Sequence, residues 1–241
     1  MSPRQYEFRK GRSASDLLLL LSKSWQDSLG SGPPSLVIAL DIAGAFDCKW
    51  HKGLLAKLEQ LGITGHLLAL FSSFLHSRSL RVVVNRSTSA TYPMEASVPQ
   101  GSVLGPILWN IYFNDLQNLH VASAYADDCT VSHSYTREET ANVIDDANRQ
   151  LGDITAWGRR WQVQFAAEKT QAMVILRSRE DSRLLEGKLK FGDDTLAIKD
   201  SINILGVEVD SRLSFDRHLE TVARRASLRV TPAPSKAPAR R

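Results

Sequence analysis

The chain has 241 residues, of which 43% are hydrophobic and 23% charged, and its net charge is +4. That mixture excludes wholesale disorder and allows one large domain with a sizeable core. The longest apolar run, Leu17–Leu21, is far short of the roughly 20 residues a membrane span needs, so no membrane partner is expected. MSPRQYEFRKGR has no apolar stretch of the kind a signal peptide carries, and Cys48 and Cys129 form no metal-like cluster. Reduced thiols in the nucleus or cytoplasm are the expectation.

Charge is unevenly placed. Residues 221–241 carry +6, residues 1–12 carry +3, and the body from 13 to 220 carries −5. Charge alone does not make this body a nucleic-acid binder.

In chain order, Ser15 to Trp25 reads as a helix broken by Ser31-Gly32-Pro33-Pro34. Ser35 to Asp41 is a continuous apolar run, which suits a strand buried on both faces. Lys49 to Leu61 and Thr64 to His76 are amphipathic helices. Leu80 to Asn85 and Tyr92 to Val98 read as strands around a polar turn. Pro99-Gln100-Gly101-Ser102 opens a helix to about Asn118, and Val121 to Ser134 is a hairpin with Ala126-Asp127-Asp128 at its tip.

Thr136 and Glu139 form a capping box for a helix ending near Trp161. Gln171 to Leu176 is a strand. Leu189 to Lys199 suggests a hairpin, Ile202 to Val209 a strand, and Ser214 to Arg229 a helix. Beyond that, TPAPSKAPARR is linker-like. This mixed order predicts an α+β fold around one main sheet.

Two places put Asp at the end of an apolar strand: Asp41 closes LVIALD, and Asp127–Asp128 cap the hairpin. An isolated Asp-Asp pair is ordinarily a turn. Carboxylates without a His cluster nevertheless suit a hard, oxygen-loving cation. Three of them on adjacent strands could hold two Mg²⁺ ions about 3.5–4 Å apart, an arrangement that supports in-line phosphoryl transfer.

The surrounding segments give the Asp residues their meaning. SLVIALDIAGAFDCKWHKGLLAKLEQLGI, SVPQGSVLGPILWNIYFNDL, SAYADDCTVSH, WQVQFAAEKTQAMVI and INILGVEVDSRLSFDRHLE resemble reverse-transcriptase motifs A to E, in that order. QYEFRKGRSASDLLLL resembles the finger-to-palm segment that precedes motif A. Over residues 5–228 the chain resembles the jockey-like reverse transcriptases of LINE-type (non-LTR) retrotransposons.

The resemblance implies a right-hand polymerase palm with an antiparallel sheet, packed helices, partial fingers and a truncated thumb. Residues 1–34 would belong to the fingers, 35–200 to the palm and 201–229 to motif E and the start of the thumb. Residues 230–241 would be a disordered basic tail. The implied activity is RNA-directed DNA polymerisation on an RNA template, from a DNA primer, with dNTPs and two Mg²⁺ ions (or Mn²⁺). Asp41, Asp127 and Asp128 match the metal-binding triad, with the Ile42 carbonyl as a further ligand. Phe46 matches the steric gate against a 2′-OH. Gln100 and Gly101 match the loop at the incoming nucleotide, Tyr125 the primer end, and Lys169 the general acid for pyrophosphate. The alternatives are a group II intron-type reverse transcriptase, an RNA-dependent RNA polymerase, or a truncated, inactive remnant that at most binds nucleic acid.

Overall fold

The computed structural model describes residues 2–44, 50–94, 96–99, 101–119, 122–175 and 180–230. Phe46, Gln100, Cys48 and the basic tail lie outside them. Helix α1 (Ala14–Ser31) leads into strand β1 (Ser35–Leu40), then α2 (His51–Gln60) and α3 (Gly65–Leu75). Four short strands, β2 (Ser79–Leu80), β3 (Val83–Val84), β4 (Ser87–Thr88) and β5 (Tyr92–Pro93), form a ribbon. Helix α4 (Gly105–Leu119) precedes the hairpin β6 (Ala122–Tyr125) and β7 (Asp128–Ser134). Next come α5 (Thr140–Trp161), β8 (Gln171–Ile175) and α6 (Glu180–Leu185). The short strands β9 (Lys190–Phe191), β10 (Asp194–Thr195) and β11 (Ile198–Lys199) lead to β12 (Ser201–Ile204), β13 (Val207–Asp210) and α7 (Asp216–Val230).

The main sheet runs β11-β8-β1-β7-β6. Its centre is β1, antiparallel to both β7 and β8. Leu36, Ile38 and Leu40 enter one core with Trp109 and Phe113 of α4 and Trp157 of α5, while Val37 enters a second with Trp25 of α1 and Met173 of β8. Burial on both faces explains why the strand reads as an unbroken apolar run. Each fully buried aliphatic side chain contributes about 1.5–3 kcal/mol, so β1 is anchored over its whole length.

Helix α1 starts at a capping box between Ser13 and Asp16. It runs past the expected Trp25 to Ser31, where Gly32 adopts φ 100° and ends it. At the end of α5, a Cβ on Gly158 would lie 2.6 Å from the Val163 carbonyl oxygen. Only glycine lets the chain fold back so closely into residues 163–166, which border the end of β1.

Three expectations need correction. The ribbon turns at Asn85–Arg86, both at positive φ, so its second strand begins near Ser87 rather than Tyr92, and Val98 lies buried beyond it. Ile198–Lys199 does not close a hairpin on residues 189–194 but adds to the main sheet, parallel to β8. Residues 201–210 form two strands, not one, because Leu205 and Gly206 take positive φ and the Asn203 side chain accepts the Gly206 N–H. Helix α6 was not anticipated, and neither was a parallel bridge from Gln5 to Ala124 of β6.

Lys57 of α2 is buried against α4 and α5. Its ammonium lies 3.9 Å from the Trp161 ring centre, 4.7 Å from that of Tyr112 and 4.9 Å from that of Trp157. It also pairs with Asp115 at 2.7 Å and donates to the Tyr112 carbonyl. Burial pushes its pKa down to about 8, against the opposing pull of Asp115.

A depressed lysine pKa adds stability above the unfolded value of about 10.4, and that stability is lost as pH falls through the folded value. Urea midpoints of the wild type relative to Lys57→Met should therefore rise between pH 8 and pH 10. At pH 7 Lys57→Met should stay within about 1.5 kcal/mol of wild type, and Lys57→Ala should lose about 2–5 kcal/mol through the cavity it leaves.

Candidate active site

The register of β1 on β7 ends at Leu40 opposite Cys129, so the next residue, Asp41, abuts Asp128. On the other side, Tyr125 of β6 pairs with Asp128 across the two-residue turn Ala126–Asp127. Ala126 takes φ 54° to make that turn. The sheet thus brings together carboxylates that lie far apart in sequence.

Beyond β1 the chain is held by residues 163–170. The Asp41 carbonyl accepts the Ala166 N–H at 2.9 Å, and its own N–H donates to Thr170 Oγ1 at 3.4 Å. Ile42 bridges Phe165, and the Ala43 N–H donates to the Gln164 carbonyl at 2.9 Å. Ile42 is buried in the core, so its side chain is closed to a ligand. The same segment turns at Ala166 to carry Lys169, whose Nζ lies 3.9 Å from Asp41 Oδ1. Both side chains are well exposed, so the pair contributes little stability.

A fourth carboxylate, which the sequence did not flag, joins the group. The Tyr6 N–H donates to the Ala124 carbonyl at 2.9 Å, the Ala124 N–H to the Arg4 carbonyl at 3.0 Å, and Gln5 Nε2 to the Ala126 carbonyl at 3.3 Å. These bonds lay the N-terminal segment along β6 and bring Glu7 to the tip, where Asn110 Nδ2 holds its carbonyl at 3.2 Å. The pairing spans some 120 residues, and no local pattern signals it.

The donors are all oxygens, which suits Mg²⁺ or Mn²⁺ in kind. Among the described residues, no group of three or more His, Cys, Asp or Glu side chains forms a ready metal cage. The carboxylates are neighbours across the register rather than a preassembled cluster. A separate cleft of about 550 Å³, between α5 and the β9–β10 hairpin, is lined by residues including Arg159, Phe165 and Asp193 but by none of these four carboxylates.

The sequence profile of the reverse transcriptase (RNA-dependent DNA polymerase) family matches residues 1–209. This chain belongs to the reverse transcriptase family.

Among its relatives is the probable RNA-directed DNA polymerase from transposon BS of Drosophila melanogaster. The identity is 28%, over 94% of this chain and 26% of the relative. The RNA-directed DNA polymerase from mobile element jockey of the same organism is 31% identical, over 76% of this chain and 20% of the relative. The chain therefore spans about a quarter of the length of the curated relatives it matches. Its fold is similar to that of telomerase from Candida albicans in complex with a fragment of telomeric RNA. The TM-score is 0.57 at 16% identity, over 84% of this chain and 33% of that one. Apo telomerase from Candida tropicalis gives 0.55 at 10% identity, over 88% of this chain and 36% of that one. The architecture is the polymerase palm.

In this reverse transcriptase palm, Tyr125 is half-buried against the core formed with α1. Gly101 adopts φ 78°, a conformation that favours glycine, with open space where a side chain would begin. Gln100 and Phe46 are outside the described residues.

The electrostatics of the tip are repulsive. Loss of hydration first, and then the charges of Asp127 and Asp41, raise the Asp128 pKa to about 6. Solvent reaches the Asp128 side chain, but the packed groups around it strip part of its water. Glu7 is raised as well, first by burial and then by Asp127 and Asp128.

A carboxyl whose folded pKa is raised adds stability below its unfolded pKa, and that stability is lost as pH rises through the folded value. In EDTA, Asp128→Asn should therefore have a higher urea midpoint than wild type at pH 7, and the gain should vanish below about pH 4. Glu7→Gln should shift in the same direction. Equal midpoints at pH 7 for wild type and both variants would remove the repulsion from the account.

Proposed function

We propose that this chain is the polymerase module of a non-LTR retrotransposon protein. It extends the 3′-OH of a DNA primer with dNTPs, copying an RNA template. The observation that carries this reading is the meeting of Asp41 with the Asp127–Asp128 tip across the β1–β7 register, with Lys169 alongside. Asp41, Asp127, Asp128 and the Ile42 carbonyl would hold two Mg²⁺ ions (or Mn²⁺), and ions bound there would lower the pKa of the attacking hydroxyl and neutralise charge on the leaving oxygens.

The chain's own residues do the rest. Lys169 gives a proton to the leaving pyrophosphate as a general acid. Gln100 and Gly101 would contact the incoming nucleotide and Tyr125 the primer end. Phe46 would act as the steric gate against a 2′-OH. Residues 35–200 form the palm and 201–229 the approach to the thumb, with 1–34 linking fingers to palm.

Primer extension by the purified chain on RNA and DNA templates tests this directly. Mg²⁺-dependent dNTP incorporation is expected, and Asp127→Asn should lower it by about 10³-fold, equivalent to roughly 4 kcal/mol of transition-state stabilisation. Lys169→Gln should slow turnover about 10²–10⁴-fold. Phe46→Ala should lower the preference for dNTPs over rNTPs while sparing much of the dNTP rate. Extension that is indifferent to Asp127, or no extension above that of Asp127→Asn, contradicts the proposal.

A further inference from the structure

The ribbon formed by β2 to β5 stands apart from the rest of the body in both charge and exposure. Residues 60–94 contain no Asp or Glu and carry +3 from Arg78, Arg81 and Arg86, whereas the remainder of 13–220 carries −8. It is the longest stretch of the chain without an acid.

The backbone of the ribbon is internally satisfied. Leu80 pairs with Tyr92 and Val84 with Ser87, and the Ser89 N–H donates to the Val82 carbonyl at 2.9 Å. Its side chains are not covered. Val82, Val83, Val84 and Tyr92 are 55%, 66%, 60% and 57% exposed.

Each arginine has a distinct place. Arg78, at the base, is held by Phe74, donating from Nε to that residue's carbonyl, with its guanidinium 4.5 Å from the ring centre. Arg81 sits midway and Arg86 at the turn, both exposed. Neither makes an ion pair among the described residues. Exposed guanidinium groups beside uncovered aliphatic and aromatic surface match the two parts of an unpaired nucleic-acid strand. The phosphates take the charge, and the base faces take the apolar and aromatic surface.

We propose that the β2–β5 ribbon is a docking surface for single-stranded nucleic acid, with Arg81 and Arg86 on phosphates and Tyr92 against a base. The proposal rests on the reading of the chain as a template-copying enzyme, and it names where the strand is gripped away from the carboxylates. A body of net negative charge needs such an element, because phosphate contacts supply most sequence-independent affinity. The short β-branched run fits this use, since a two-stranded ribbon cannot bury its own faces.

The test is fluorescence anisotropy of a labelled 20-nucleotide oligo-U and of a duplex of equal length, over a series of KCl concentrations in EDTA. No catalysis is involved, so a negative result here leaves the primer-extension test of polymerase activity standing. Arg81→Glu/Arg86→Glu should weaken oligo-U binding at least about tenfold and lower the slope of log affinity against log salt by about 1.4, two contacts at roughly 0.7 each. Tyr92→Ala should weaken oligo-U binding more than duplex binding. Neutralising Lys236, Arg240 and Arg241 of the tail should leave the effect of the ribbon reversal in place.

Arg81→Gln/Arg86→Gln, checked by circular dichroism, guards against misfolding of the charge-reversed protein and should weaken binding in the same direction. Parental affinity and salt slope in the ribbon variants would overturn the proposal. So would a concentration-dependent dimer that Val83→Ser/Val84→Ser disrupts, since the ribbon would then serve a second copy of the chain. Equal losses on oligo-U and duplex with Tyr92→Ala would overturn the single-strand assignment.

Discussion

The pairing of β1 with β7 is the constraint on which the site depends. One strand ends at Leu40 and the other begins at Asp128, and their antiparallel register sets Asp41 beside that residue. Because side chains alternate between faces, a slip of one position would send Leu36, Ile38 and Leu40 out of their core and carry Asp41 away from the tip. Burial on both faces of β1 fixes the register with several kcal/mol in hand, so the position of the acidic residue is set by the apolar ones. Gly158 and the 163–170 segment then hold the backbone beyond Leu40 where β1 alone would leave it free.

The same packing concentrates negative charge. Burial raises the Asp128 pKa and the charges of Asp127 and Asp41 add to it, while burial and then Asp127 and Asp128 raise Glu7. A sequence optimised for stability alone would not place carboxylates together at the end of its central strand. Lys169 offsets the repulsion only weakly, because both it and Asp41 are open to water. Glu7 adds to it, brought to the tip by the backbone pairing of residues 4–6 on β6. The core tolerates this strain because it is otherwise well supported. Lys57, by contrast, is a charge taken deep into the protein, and it arrives with Asp115 and three aromatic rings around it.

Much of this was legible in the sequence, and for physical reasons. The apolar run of β1, the Thr136–Glu139 capping box and the amphipathic helices are local signals, and each element lies close to where those signals put it. The Asp127–Asp128 pair alone reads as a turn, but only Asp127 lies in the turn and Asp128 opens β7; the pair's meaning came from the motifs around it. What stayed hidden depends on non-local pairing or on unusual backbone. Asn85, Arg86 and Leu205 take positive φ without being glycine, so two tight turns were missed. The parallel addition of β11 and the bridge from Gln5 to Ala124 depend on the sheet edges they meet. Glu7 was invisible as a neighbour of the site for that reason.

The sheet brings these carboxylates into one neighbourhood, and a divalent cation bound there would offset their mutual repulsion. Thermal unfolding at pH 7.5 as a function of Mg²⁺ and Mn²⁺ concentration tests it without reference to catalysis. Ligand binding to the folded state alone stabilises by RT ln(1 + [L]/Kd), about 2.7 kcal/mol at a hundredfold excess over Kd. A saturable rise in Tm is expected for the wild-type chain with both cations, reduced or absent in Asp41→Asn and Asp127→Asn. A Tm that ignores both cations, or that rises equally in wild type and both variants, would contradict it.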